Sequence, residues 1–249
     1  MLFGLFWGDT TILVLIPAMI FAFWAQMRVN STFKKYAKVP SRRGLTGAEA
    51  ARRVLDANGL RHVTIERVHG HLTDHFDPKA GVIRLSDATY ASTSVAAIGV
   101  AAHEAGHAVQ HAEGYVPIKV RAAIIPLTRF GSFLAMPLFL IGIGLLLGIS
   151  SEVAYGIGSD VAYGIGTIFA VTGILFFSFS TLFQLVTLPT EFNASARAMQ
   201  ALEGGGLLTT DELPGAKATL SAAAMTYVAA LASSLASLLR LILIFNRRR

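Results

Sequence analysis

The chain is 249 residues long, 53% hydrophobic and only 14% charged, with a mean hydropathy of +0.57. A soluble domain carries about a quarter charged residues, so a disordered polymer and an ordinary soluble globule are both excluded. The net charge of +6 is topogenic rather than a nucleic-acid footprint, because 15 of the 21 Lys and Arg lie in residues 28–129, beside a span and suited to the cytoplasmic leaflet.

Four runs of at least 18 residues carry no charge: 10–27, 130–151, 161–190 and 218–239. About 20 mostly apolar residues suffice to span a bilayer. The first run is too long for the core of a signal peptide and lacks a basic segment before it. It reads as a retained first span within 1–27, stopped by Arg28, Lys34, Lys35 and Lys38.

Residues 28–129 differ in character and hold eight of the 15 acidic residues. Thr46-Gly47-Ala48-Glu49 is a capping box that opens a helix, and Asn58-Gly59 supplies its left-handed stop. Val63 and Ile65 alternate with polar neighbours, as in a half-buried strand. Asp77-Pro78-Lys79-Ala80-Gly81 is turn chemistry that joins 71–76 to 82–85 as a hairpin. Residues 94–113 are Ala-rich, free of Pro and followed by Gly114, which predicts a helix. The order predicts a small α+β domain.

A second span follows at 130–151 and a third at 161–187. The hexapeptide VAYGIG at 153–158 recurs at 161–166, a spacing too short for a solenoid unit and best read as a local duplication between spans. Residues 188–217 form a polar connection, and 218–245 make a fourth span or a re-entrant segment. Six Lys and Arg in 28–45, against none and two acids in 151–160, place 28–129 and 190–217 in the cytoplasm and 151–160 outside. A fourth span would then leave Arg247, Arg248 and Arg249 outside, against the rule.

The absence of Cys excludes disulfides and thiolate metal sites, so any metal must be held by His and carboxylates. His103-Glu104-Ala105-Gly106-His107 matches H-E-x-x-H. On a helix, residues four apart share a face, so both imidazoles can bind one ion. Glu104 then reaches a metal-bound water as general base. Zinc needs a third protein ligand and keeps its fourth position open. His111 is rotated about 80° from His103 on a straight helix, and Gln110 and Glu113 stand where the extended metzincin pattern needs Gly and His. Glu191, directly after the third span and on the same side of the membrane, is the better candidate. His62, His69, His71 and His75 lie on or near the strands before the helix. Any of them, or Tyr90, Tyr115 or Arg197, is a candidate to stabilise an oxyanion, and none stands out.

These blocks resemble the YugP-like neutral zinc metallopeptidases of bacterial membranes. The resemblance runs from Trp24-Ala25-Gln26 through Leu45–Ala51, Asp56–Leu60 and Leu72–Pro78. It continues through Arg84-Leu85-Ser86, Ala102–His107, Gln110-His111-Ala112 and the residues 183–189 before Glu191. A more distant similarity is to HtpX and CAAX-type membrane endopeptidases, which pair H-E-x-x-H with a later E-x-x-x-D. There the Asp braces a zinc-binding His, and here its position is Ser195. In the nearer family an Asp stands where this chain has Asn193.

The reading is a multi-pass α-helical membrane protein with a small α+β zincin-like metallopeptidase domain inserted between the first and second spans. The expected activity is that of a zinc endopeptidase using Zn2+ held by His103, His107 and Glu191, with Glu104 as base. Protein or peptide substrates near the cytoplasmic face of the plasma membrane are the expected partners, membrane proteins among them, along with the lipid bilayer and without nucleic acid. A non-catalytic membrane scaffold or assembly factor with structural zinc is the alternative, and a site-2-type intramembrane protease is disfavoured because polar sequence flanks 94–113 on both sides.

Overall fold

A computed structural model describes residues 10–70, 72–147 and 158–247 of the chain. His71 and most of the first VAYGIG copy lie outside the described residues. After a 3-10 turn at Thr10–Val14, the elements are α1 (Leu15–Tyr36), α2 (Gly47–Ala57), β1 (Thr64–Val68), β2 (His75–Asp77) and β3 (Val82–Ser86). They continue with α3 (Val95–Ala112), α4 (Val116–Leu146), α5 (Ser159–Gly204) and α6 (Leu213–Asn246). Helices α1, α4, α5 and α6 are long and apolar enough to cross a membrane.

Two compact units emerge. One contains Trp24–Val120 and Thr187–Val228, and the other draws on Met1–Phe23, Arg121–Val186 and Ala229–Arg249. Residues 28–120 of the polar stretch thus share their unit with the end of α5 and the start of α6, while 121–129 fall in the other unit.

Local chemistry explains the elements of the first unit. The Thr46 hydroxyl accepts from the Glu49 N–H at 3.2 Å while the Glu49 carboxylate accepts from the Thr46 N–H at 2.8 Å, which closes the capping box of α2. Gly59 at φ +73° and Gly114 at φ +65° make the left-handed stops after α2 and α3. Ser94 caps α3, its hydroxyl accepting from the Ala97 N–H at 3.3 Å. The sheet has the order β1-β3-β2, with β1 parallel and β2 antiparallel to β3. Central β3 is buried at Val82, Ile83, Leu85 and Ser86. Asp74 fixes its end by accepting from the Ser86 N–H at 2.8 Å and hydroxyl at 2.9 Å.

The core of this unit joins Leu55, Ile83, Leu85 and Ile98 to Leu202, Leu208 and Leu220. The face of α3 within it is mostly Ala, including Ala101, Ala102, Ala105 and Ala108. Small side chains let other backbones approach α3 closely. In the second unit, Phe139, Ile143, Ala170, Leu241 and Phe245 form a smaller cluster. Hydroxyls bond between its helices, Ser132 to Ser180 at 2.7 Å and Thr181 to Ser234 at 2.8 Å, as suits helices without a strong hydrophobic drive to associate. Large side chains such as Phe130, Phe133 and Ile168 are exposed there, as lipid-facing residues are.

Closeness has a limit that two glycines of α3 test in opposite directions. A Cβ on Gly106 would meet the Ala194 carbonyl oxygen at 2.7 Å, a backbone atom that cannot swing aside, whereas one on Gly99 would meet Ala216 at an ordinary 3.5 Å. Gly106→Ala is therefore expected to lower stability by about 1–3 kcal/mol through overpacking. Gly99→Ala gains helix propensity worth about 1 kcal/mol and should hold or raise it. Thermal unfolding of the two variants in detergent checks the signs, and a Gly106→Ala protein as stable as Gly99→Ala would contradict the contact.

Candidate metal centre

The centre is assembled from two helices of the first unit. His103 and His107, one turn apart on α3, stack edge to face with ring centroids 4.6 Å apart. Glu191 enters from α5, which runs unbroken through Pro189. Its Oε2 lies 3.3 Å from His103 Nε2 and 3.5 Å from His107 Nε2. The three donor atoms all fall within 4.8 Å of one another.

Those separations test whether a metal ion fits. Zinc bonded at about 2.0–2.1 Å in a tetrahedron spaces its ligand atoms about 3.3–3.4 Å apart. The two observed nitrogen–oxygen distances match that edge. The donor set, two imidazoles and one carboxylate, is also one that zinc takes in catalytic sites.

Electrostatics point the same way. Glu191 is 2% exposed, and a carboxylate that far from water needs positive charge beside it. Burial alone would push the His107 pKa down. The hydrogen bond and charge of Glu191, with the charge of Glu104 and the Gln110 contact, outweigh burial and hold it above the ordinary histidine value. The pocket favours a positive charge at His107, and a cation supplies that charge in place of the proton.

Further partners hold the outer nitrogen of each imidazole. Ser195 Oγ lies 3.1 Å from His103 Nδ1, so Ser195 occupies the bracing position that an Asp fills in the E-x-x-x-D pattern. Gln110 Oε1 lies 3.0 Å from His107 Nδ1. Asn193 touches neither imidazole by a hydrogen bond and instead accepts from Gln110 Nε2 at 2.9 Å and from Arg197 Nε at 2.7 Å. Sequence reasoning missed Gln110. Its spacing of three from His107 places both on one helical face, which was the signal available.

The other residues singled out from the sequence stand apart. Glu104 is buried beside His103 on α3. His111 is exposed and meets the edge of Phe76 with centroids 6.0 Å apart, as its rotation predicted. Glu113 pairs with Arg197 at 2.7 Å, and that guanidinium holds the Glu113 carboxyl below the usual range. His62, His69 and His75 are exposed, His69 lying beside Asp87 and His75 on the Thr73 carbonyl. Tyr90 packs against the core.

Comparison with known proteins bears on the whole chain. The model of the family described as "Putative neutral zinc metallopeptidase" matches residues 11–246. The chain is also 46% identical over 238 residues to "Putative membrane protease YugP" of Bacillus subtilis (strain 168), covering 96% of this chain and 97% of that one. No solved structure matches it. Because the family match takes in both helices that carry His103, His107 and Glu191, and four helices of the same chain are fit to cross a membrane, this is a membrane protein belonging to the neutral zinc metallopeptidase family.

Proposed function

We propose that the protein is a membrane zinc endopeptidase of the H-E-x-x-H-plus-glutamate type. His103, His107 and Glu191 hold the metal and Glu104 serves as general base. The observation that carries this reading is the spacing of the two imidazole Nε2 atoms and the Glu191 Oε2, at 3.3 and 3.5 Å. The compact unit around them is read as a zincin-like domain, with α3 packed on a mixed sheet whose edge strand is β2.

Zinc bound there supplies Lewis acidity that polarises a peptide carbonyl and brings water near a pKa of about 7. The chain's own residues do the rest. Glu104 follows His103 on the same helix and is 8% exposed, a setting that keeps bulk water from competing for its carboxylate. It takes the proton of the attacking water and delivers it to the leaving amine as the C–N bond breaks. Strand β2 is an edge strand beside α3, so an extended peptide can add to it by backbone hydrogen bonds.

Substrates are proteins or peptides close to the bilayer, membrane proteins among them. Helix α5 is 46 residues long, or about 69 Å at 1.5 Å per residue, against a hydrocarbon core of about 30 Å. Part of it must therefore leave the lipid, and Glu191 directly follows the charge-free run 161–190. Cytoplasmic placement rests on the six basic residues at 28–45.

Three measurements test this reading. Detergent-purified protein should cleave an unfolded substrate such as casein, and a chelator should abolish the cleavage. Glu191→Ala should lose zinc and activity together, while Glu104→Gln keeps about one zinc per chain and loses about 10²–10⁴-fold in rate. Equal cleavage by Glu104→Gln and wild type would leave a structural zinc site and the scaffold function. For topology, a Cys at Ser151, outside the described residues, should react with a membrane-impermeant thiol reagent in intact cells. Ala80 is exposed in the β2–β3 turn. Ala80→Cys should label only after permeabilisation, and the reverse pattern puts the site outside the cell.

A further inference from the structure

A chain of hydrogen bonds leads away from His107 and ends on a group that can only donate. Arg197 pairs through Nη2 with Glu113 at 2.7 Å and through Nε with Asn193 Oδ1 at 2.7 Å. A guanidinium has no acceptor, so Asn193 must present its oxygen and not its amide nitrogen at this junction. That same oxygen receives Gln110 Nε2 at 2.9 Å, and the backbone carbonyl of Thr190 receives Gln110 Nε2 at 2.8 Å. Two acceptors on one side of the Gln110 amide demand that its NH2 face them. Gln110 is fully buried, so water cannot satisfy a reversed amide, and reversal would set oxygen against oxygen twice.

With its NH2 committed, Gln110 has only Oε1 to offer His107 Nδ1 at 3.0 Å. An acceptor there requires a proton on Nδ1. In the neutral ring that leaves the lone pair on Nε2, the atom that faces Glu191. We infer that Gln110 is a positioning residue that locks His107 in its metal-binding tautomer, with its own orientation dictated by Arg197 through Asn193. This rests on His107 being a metal ligand as proposed above. His103 is held differently, because the Ser195 hydroxyl can donate or accept and so permits the binding tautomer without enforcing it.

Two experiments on the full-length detergent-solubilised protein test the lock. In 15N-histidine-labelled wild type freed of metal, at a pH where the ring is neutral, long-range nitrogen–proton correlations should show His107 protonated on Nδ1. The His107 signals are those missing from His107→Ala. Protonation on Nε2 instead would overturn the inference without any variant having to fold. Zn2+ affinity, measured by competition with a chelator, should fall about 10–100-fold in Gln110→Met, as for loss of a partner to a metal-binding His. Asn193→Asp should stay near wild type, since a carboxylate accepts from both Arg197 and Gln110, whereas Asn193→Leu should fall with Gln110→Met. If Gln110→Met binds zinc like wild type while His107→Ala does not, the ligand assignment stands and the lock fails. If His107→Ala also keeps its zinc, the ligand assignment itself falls.

Discussion

A carboxylate as deeply buried as Glu191 needs positive charge around it, because the effective cost of desolvating an ion is several kcal/mol even after relaxation. Both imidazoles lie within 3.5 Å of it, and they can answer that demand with a proton or with a shared cation. The His107 pKa, raised above the ordinary histidine value, shows that the pocket favours positive charge. A divalent cation in place of the proton answers the same demand with one more unit of positive charge and adds the binding free energy of three donors already in position. Metal binding and the meeting of α3 with α5 therefore favour one another.

Reaching that meeting sets the composition of the helices. At Gly106 and Ala194 the two backbones are too close for a Cβ on the first, and Ala194 and Ala198 are fully buried on α5. Alanine buries little apolar area, so this seam contributes proximity more than hydrophobic stabilisation. The burial comes from elsewhere in the same unit. Leu55, Ile83, Leu85, Ile98 and Leu202 are all fully buried, each worth about 1.5–3 kcal/mol relative to exposure. The large side chains hold the sheet and α2 against α3 and leave its other face free to be narrow.

What the sequence revealed and what it hid follow the range of the interactions involved. Thr46 with Glu49, the glycines at 59 and 114, and the 77–81 turn act over a few residues, so α2 and α3 were legible with nearly correct ends and the hairpin with its turn, although β2 begins only at His75 and not at residue 71. The two His and the Glu of 103–107 share a helix and were legible by spacing. The parallel pairing of β1 with β3 was not, since nothing local to Thr64–Val68 distinguishes which strand lies beside it. Pro189 would ordinarily signal a helix boundary, yet α5 continues through it to Gly204, so the polar connection at 188–217 begins as helix. The partner of His107 was hidden for a related reason, whereas Ser195 was already marked by its place in the E-x-x-x-D pattern. A Gln at helical spacing is unremarkable until the facing helix shows what it bonds.

The choice of those partners affects the metal as well as the geometry. A carboxylate behind an imidazole orients it and also raises its basicity, passing negative charge toward the ion. This chain places a hydroxyl behind His103 and an amide behind His107, and Glu113, at the end of α3, is paired with Arg197. Orientation is retained while the added negative charge is not. In the site as proposed, Glu191 is the one anionic ligand, and a divalent ion held by it and two neutral imidazoles would keep a net positive charge. That residual charge favours polarisation of a peptide carbonyl and a lower pKa for water. On the proposed reading the cost is weaker metal binding than carboxylate-braced histidines would give, and a buried Gln110 amide held by two acceptors would offset it by fixing the ring.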